Sequence, residues 1–188
     1  ANTAIGAKAL YTNVDGQFNT AVGYEALLTY EADADNEGWN TAVGYQAAKL
    51  TAAGLRITAV GANAAAGLDA GQDDVTAIGA NALLNSAGAG DHQNTALGSN
   101  AGRFAGASGT TAMTSATNCT YIGMSARAEA ATGDSNQTVI GYNATGVADN
   151  SVTLGNADVT LWAPGADNVV SLGNASRRFA DVFAVQTT

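Results

Sequence analysis

The chain has 188 residues and a net charge of −9, from 16 acidic and 7 basic side chains. That balance disfavours nucleic acid and anionic membrane surfaces, which both call for a basic footprint, and no apolar run approaches the roughly 20 residues that span a bilayer. Hydrophobic residues make up 46% of the chain, but Ala alone supplies 42 residues and aromatics only 6%, so an interior must be built from small side chains with backbones close together.

Read in order, the chain repeats one short unit. Asn2-Thr-Ala-Ile-Gly6 is followed by Asn19-Thr-Ala-Val-Gly23, Asn40-Thr-Ala-Val-Gly44, Ile57-Thr-Ala-Val-Gly61, Val75-Thr-Ala-Ile-Gly79 and Asn94-Thr-Ala-Leu-Gly98. The series loosens into Cys119-Thr-Tyr-Ile-Gly123, Gln137-Thr-Val-Ile-Gly141, Val152-Thr-Leu-Gly155 and Val170-Ser-Leu-Gly173. Gaps between successive glycines are 17, 21, 17, 18, 19, 25, 18, 14 and 18 residues. A near-fixed period with variable inserts predicts a solenoid, one coil per repeat, with the insertions on its loops.

Within each unit the pattern is that of a strand. The Thr and the Val, Ile or Leu share one face, and the intervening Ala shares the other with the glycine, which marks a turn or a close backbone approach. The shortest coil, 14 residues, has room for two short strands and two turns. So thin a roll has almost no interior, so its apolar faces require neighbours, which predicts a closed homo-oligomer. Short helix is possible at Glu25 to Leu28. Cys119, the single cysteine, lies at a repeat strand and reads as a small buried residue.

The spacers Thr29 to Trp39, Ser86 to Gln93 and Phe104 to Asn118 read as exposed loops. After Gly155 the texture changes, and residues 159–188 read as a C-terminal cap or transition module, set apart from a repeat domain over 1–158. Arg177, Arg178 and Phe179 form the densest basic-aromatic cluster.

The unit Asn-Thr-Ala-(Ile/Val/Leu)-Gly-x-x-Ala resembles the head repeats of YadA-like trimeric autotransporter adhesins, a repeat type also found in bacteriophage tail fibres. The resemblance covers roughly residues 2–158. It implies an all-β, left-handed parallel β-roll (a β-solenoid) of about ten short coils, assembled as an intertwined or side-by-side homotrimer with hydrophobic residues packed across it. Spacing here is wider and more variable than in a minimal coil, which implies longer loops. Leu172-Gly173, Arg178-Phe179 and Val182-Phe183-Ala184 are similar to segments that precede the self-cleaving intramolecular chaperone of many phage tail fibres and endosialidase-type tail proteins. That likeness implies a fibre end from which the chaperone has been removed, although the end of an arbitrary segment would read the same.

No phosphate-binding loop is present. Asp33-x-Asp35-x-Glu37-Gly38 starts like a calcium loop but has Gly44 where the closing acid belongs, which leaves a solvated acidic loop. His92, the only histidine, has Asp91 beside it in a loop, without the orientation a triad requires. Glu31, Asp33, Asp69, Asp73-Asp74 and Glu129 could form carboxylate pairs across coils or chains, or serve solubility and protect edges. Asn and Thr columns could form structural ladders, or a flat Thr array could order water on ice. Tyr11, Phe18, Tyr30, Trp39 and Trp162 could stack on sugars or pack between chains.

The expectation is therefore a non-enzymatic structural and receptor-binding fibre segment without metal or cofactor, in a phage virion, attaching it to a bacterial surface glycan or outer-surface protein. It binds no nucleic acid and inserts in no membrane. The alternatives are a bacterial adhesin head on the cell surface, a tailspike-type polysaccharide depolymerase and an ice-binding solenoid. Candidate receptor contacts are Tyr30, Asp33, Asp35, Trp39, His92, Trp162 and Arg178. The turn glycines Gly6, Gly23, Gly44, Gly61, Gly79, Gly98, Gly123, Gly141, Gly155 and Gly173 are scaffold.

Overall fold

The Thr-x-(Val/Ile/Leu) triplets are strands, and each pairs with its own copy in the next repeat. A computed structural model describes residues 1–31, 38–68, 72–86, 93–163, 176 and 179–181. Its main sheet runs β1 (Thr3–Ile5), β2 (Thr20–Val22), β3 (Thr41–Val43), β4 (Thr58–Val60), β5 (Thr76–Ile78) and β6 (Thr95–Leu97). Then β7 (Phe104–Ala105), β8 (Thr111–Ala112) and β9 (Ala116–Thr117) intervene before β10 (Thr120–Ile122) resumes it. β11 (Asp134–Ser135) precedes β12 (Thr138–Ile140) and β13 (Val152–Leu154), the last strand of the nine-stranded sheet. Every pairing in that sheet is parallel and in register: Thr3 pairs with Thr20, Thr41 with Thr58, Thr95 with Thr120. The chain is a parallel β-solenoid of about eight turns. The tenth copy of the unit, with Gly173, lies outside the described residues.

Alternation in the strands sets the inner and outer faces as the sequence predicts. The middle residues Ala21, Ala42, Ala59, Ala77 and Ala96, then Tyr121 and Val139, are fully buried. The flanking Thr and Val, Ile or Leu face outward, partly or largely exposed. The anchor glycines stack on one another. A Cβ on Gly6 would lie 2.6 Å from the carbonyl oxygen of Gly23, and one on Gly123 2.6 Å from that of Gly141. No side chain fits there, which is why the glycine recurs.

Beyond the glycine the coil differs from the expected second strand and from the short helix at Glu25 to Leu28. No helix occurs among the described residues, and the turn after each glycine alternates in φ sign. Lys8, Glu25, Gln46, Asn63, Asn81 and Asn100, two residues past the glycine, have φ between 54 and 60°. Leu10, Leu27, Ala48, Ala65 and Leu83, four residues past it, have φ between 48 and 52°. Left-handed backbone is unfavourable for such residues. Here it turns alternate amides toward opposite neighbours: Glu25 N donates back to Ala7 O at 3.0 Å, and Leu27 N forward to Ala47 O at 3.0 Å. The inter-coil hydrogen-bond lattice offsets the local strain.

The roll also has a fuller interior than its composition implies. Ala26, Ala47, Ala64, Ala82, Ala101, Ala126 and Ala144 form a second buried column, and Leu27, Tyr30, Ile57, Leu68, Leu83 and Met113 fill the space between the columns. Gly102 replaces the larger residues of its column where Tyr121 replaces an Ala. A Cβ on Gly102 would meet Leu83 Cδ2 at 2.6 Å and Tyr121 Cδ2 at 2.9 Å, so the two exchanges compensate.

Residues 104–118 correct another expectation, because they are not simply an exposed loop. β7 and β8 form an antiparallel pair and β9 pairs in parallel with β11, and Ala105, Met113 and Ala116 are buried. The chain divides into a unit Ala1–Asp158, which contains the solenoid, and a unit Val159–Thr188. The second is described at 159–163, 176 and 179–181, where every residue is exposed.

Candidate interaction surfaces

Register converts the repeat into columns, and each column has its own chemistry. The column just before the strands contains Asn2, Asn19, Asn40 and Asn94. Asn40 Oδ1 accepts the Ile57 amide at 2.9 Å while its Nδ2 donates to the Gly54 carbonyl at 2.9 Å, and Asn94 does the same for Cys119 N, at 2.9 Å, and Ala116 O, at 2.6 Å. These side chains satisfy buried backbone groups of the coil, so the Asn ladder is structural. Cys119 is buried in that column and its Sγ accepts the Gln137 amide at 3.4 Å.

One position earlier, Phe18 and Trp39 stack with ring centroids 5.7 Å apart and planes 10° from parallel. Arg56 follows in the same column, its Nε 2.5 Å from Asp74 Oδ1 and its Nη2 3.1 Å from Asp74 Oδ2. Trp39 is 52% exposed, so of the predicted receptor contacts it offers an accessible ring. Trp162, in the second unit, is 77% exposed.

Tyr30 is a correction. It was expected on an exposed loop and is 0% exposed. It stands seven residues past its glycine, the column that Thr51, Leu68 and Ser86 also occupy, and all four are buried. Gly16 leaves room for the ring, since a Cβ there would lie 2.5 Å from Tyr30 Cε1. Asp33, Asp35, His92 and Arg178, and the acidic calcium-like sequence from Asp33 to Glu37, lie outside the described residues. Among the described residues no group of three or more His, Cys, Asp or Glu side chains is placed to hold a metal ion.

Of the described carboxylates named as possible catalytic pairs, Glu129 is exposed, and Glu31, Asp73 and Asp74 have structural partners. Glu31 accepts the amides of Val14 at 2.8 Å and Asp15 at 3.1 Å. Asp73 Oδ1 accepts the Leu55 amide at 2.8 Å, and Asp74 binds Arg56. Glu25 is the centre of a larger cluster. Lys49 Nζ lies 2.8 Å and Lys8 Nζ 3.6 Å from its carboxylate, and Gln46 Nε2 donates at 2.8 Å. The bonded Lys49 ammonium, with Tyr24 and Gln46, holds the Glu25 carboxyl at about 2, below its usual 4.5.

One row of the outer face of the sheet is apolar along its whole length. Ile5, Ile78, Leu97, Ile140 and Leu154 are exposed and Val22, Val43, Val60 and Ile122 half-buried in one register-locked row. Two residues past Val22 and Val43, the exposed rings of Tyr24 and Tyr45 stack at 5.6 Å. Beside the row runs an unbroken Thr column, Thr3, Thr20, Thr41, Thr58, Thr76, Thr95, Thr120 and Thr138.

Sequence reasoning missed a cavity of about 410 Å³ at the C-terminal end of the solenoid, lined by Ala107, Arg127, Thr145, Thr153 and Asp158 among others. A signal was available: Arg127 falls four residues after Gly123, in the column of Leu27, Ala48, Ala65 and Leu83. A cation in an apolar register marks an exception to the scaffold. Comparison of the chain with protein-family models, curated proteins and solved structures finds no match to any of them.

Proposed function

We propose that the chain is a rigid, non-enzymatic segment of a phage tail fibre, a left-handed roll assembled as a homotrimer that attaches the virion to a bacterial surface. The carrying observation is the exposed apolar row from Ile5 to Leu154. It follows the coils for eight strand spacings, roughly 38 Å, and an outward-facing apolar strip of that length, exposed or half-buried throughout, marks an association surface. An identical copy is the simplest occupant, because a partner built from the same coils presents the same row at the same period. The repeat resemblance supports a trimer and a fibre role, and three copies would multiply the contacts of each exposed loop into avidity. Native mass spectrometry tests the assembly: a trimeric mass is expected, and a monomer at micromolar concentration overturns it. Adhesion of the purified protein to bacterial cells, without release of reducing ends from their polysaccharide, tests the role against a depolymerase. A bacterial trimeric adhesin head would share the roll, and a membrane anchor in the longer gene product would select it.

A second reading draws on the Thr column. Eight threonines at one strand spacing, about 4.8 Å, form a regular hydroxyl array, and the long inserts do not interrupt it. An ice-binding role requires that face to be free. Inhibition of ice recrystallisation by a monomeric protein would favour it over the fibre.

A further inference from the structure

Arg127 is buried, with 6% exposure, in a column that Leu27, Ala48, Ala65 and Leu83 occupy in earlier coils and Thr145 in the next. Among the described residues it has no ion-pair partner. Its Nε donates to the Thr145 hydroxyl at 3.0 Å, and its Nη2 donates to the Asn143 carbonyl oxygen at 3.1 Å and to Asn143 Oδ1. Nη1 rests against Gly109, where a Cβ would collide with it, and donates no hydrogen bond among the described residues. A guanidinium taken from water and met only by neutral acceptors is incompletely compensated. An anion at Nη1 would complete it.

The surroundings supply the space and further polar groups. Arg127 lines the cavity of about 410 Å³ with Ala107, Thr153, Asn156 and Asp158. Thr153 Oγ1 is buried there without a hydrogen-bond partner. Asn156 and Asp158 fix each other: the Asp158 amide donates to Asn156 Oδ1 at 3.0 Å, and Asn156 Nδ2 to Asp158 Oδ2 at 3.2 Å. Asp158 Oδ1 is left to accept.

We propose that this cavity binds an acidic sugar, with the carboxylate on Arg127 and ring hydroxyls on Thr153 and Asp158. The planar guanidinium matches a carboxylate. Asp158 accepts hydrogen bonds from hydroxyls and repels a second negative charge, so a polyhydroxylated monoanion fits where a phosphate dianion does not. The volume falls in the usual range for small-ligand sites. The Phe104–Asn118 insertion provides Ala107 and Gly109, which close over Arg127, so the widest interruption of the repeat helps to build the site. The choice of a sugar rests on the surface-attachment reading above.

Calorimetry on the intact protein with glucuronic acid, glucose and inorganic phosphate tests the proposal. Glucuronic acid should bind about tenfold or more tightly than either of the others. Thr153→Val should weaken it about tenfold with an unchanged thermal melt, Arg127→Lys should weaken it at least as much, and Asp158→Asn should admit phosphate. Absence of glucuronate binding at millimolar concentration, equal affinity for glucose or phosphate, or indifference to both Thr153→Val and Arg127→Lys would each overturn it. Cell adhesion separates the two readings. Glucuronate binding without adhesion sinks the attachment role and leaves the site, whereas adhesion without glucuronate binding sinks the site and leaves the role.

Discussion

Glu25 and Lys49 sit on successive coils with Oε2 and Nζ 2.8 Å apart, and the Glu25 side chain is nearly buried. The contact belongs to neither coil alone, and it makes the stack sensitive to pH. The Glu25 carboxyl is held at about 2 from a usual 4.5, and the same bond raises Lys49 above 10.5. A depressed carboxyl stabilises the folded state fully above 4.5 and loses that contribution as pH falls toward 2. A raised ammonium contributes fully below 10.5 and loses it as pH rises through its folded value. Urea midpoints measured from pH 6 to pH 2 should therefore fall, and Glu25→Gln should flatten that fall. An unchanged acid slope in the variant would show that Glu25 is not responsible.

The glycine column makes a sharper demand. A Cβ on Gly44 would lie 2.5 Å from the Gly61 carbonyl oxygen, at a φ of +138°. Gly44→Ala is expected to cost roughly 3 kcal/mol or more, since strain and overpacking add. Gly133, at a φ of +82° with nothing within 4 Å of its missing Cβ, is the matched comparison, and Gly133→Ala should cost about 1 kcal/mol. Chemical denaturation of both variants reads the difference, and equal losses would mean that the coils can separate at the glycines.

Asn40 bonds buried backbone on both sides, to Ile57 N and Gly54 O, each at 2.9 Å. Asn40→Ala leaves both groups without their partner and should destabilise by about 2–4 kcal/mol. Asn2, exposed at the first coil, also accepts an inter-coil amide, that of Asn19 at 2.9 Å. Its replacement by Ala should cost under about 1 kcal/mol, because water can take over at an exposed site. The contrast is measurable in the same urea experiment.

Val60 lies in the middle of the exposed apolar row. Val60→Asp should reduce the assembled species to monomer in native mass spectra, while secondary structure by circular dichroism is retained, because the side chain points away from the protomer core. Thr132→Asp, at an exposed residue outside the strands, should leave the mass unchanged. Retention of the full assembly in Val60→Asp would place the interface elsewhere.

The strands were legible because their signal is local and repeated. Thr20-Ala21-Val22 alternates small-in and branched-out, and recurrence of the triplet brings like residues into register. Tyr30 was misread because its spacer looks polar and loop-like around it. Its burial depends on the column it enters beside Thr51 and Leu68, which becomes visible only when coils are aligned from the glycine. The arm from Glu25 to Leu27 was misread for another reason. Glu and Leu do not select left-handed backbone, and the alternation there is imposed by amides that must reach two different neighbouring coils. Arg127 was passed over because a single Arg among acidic and small residues looks like surface, until its register puts it inside.

The sequence by itself determined that the chain is a solenoid, where each coil begins, and that glycine and a small inward residue are needed at every turn. A period of backbone spacing is encoded residue by residue, so it can be read without coordinates. Only the tertiary structure decided which interruptions are buried, how each arm is bonded, and that Arg127, Thr153 and Asp158 line one cavity although they are spread over 32 positions. Those features arise between coils, where neighbours distant in the chain determine what is enclosed, paired or left without a partner.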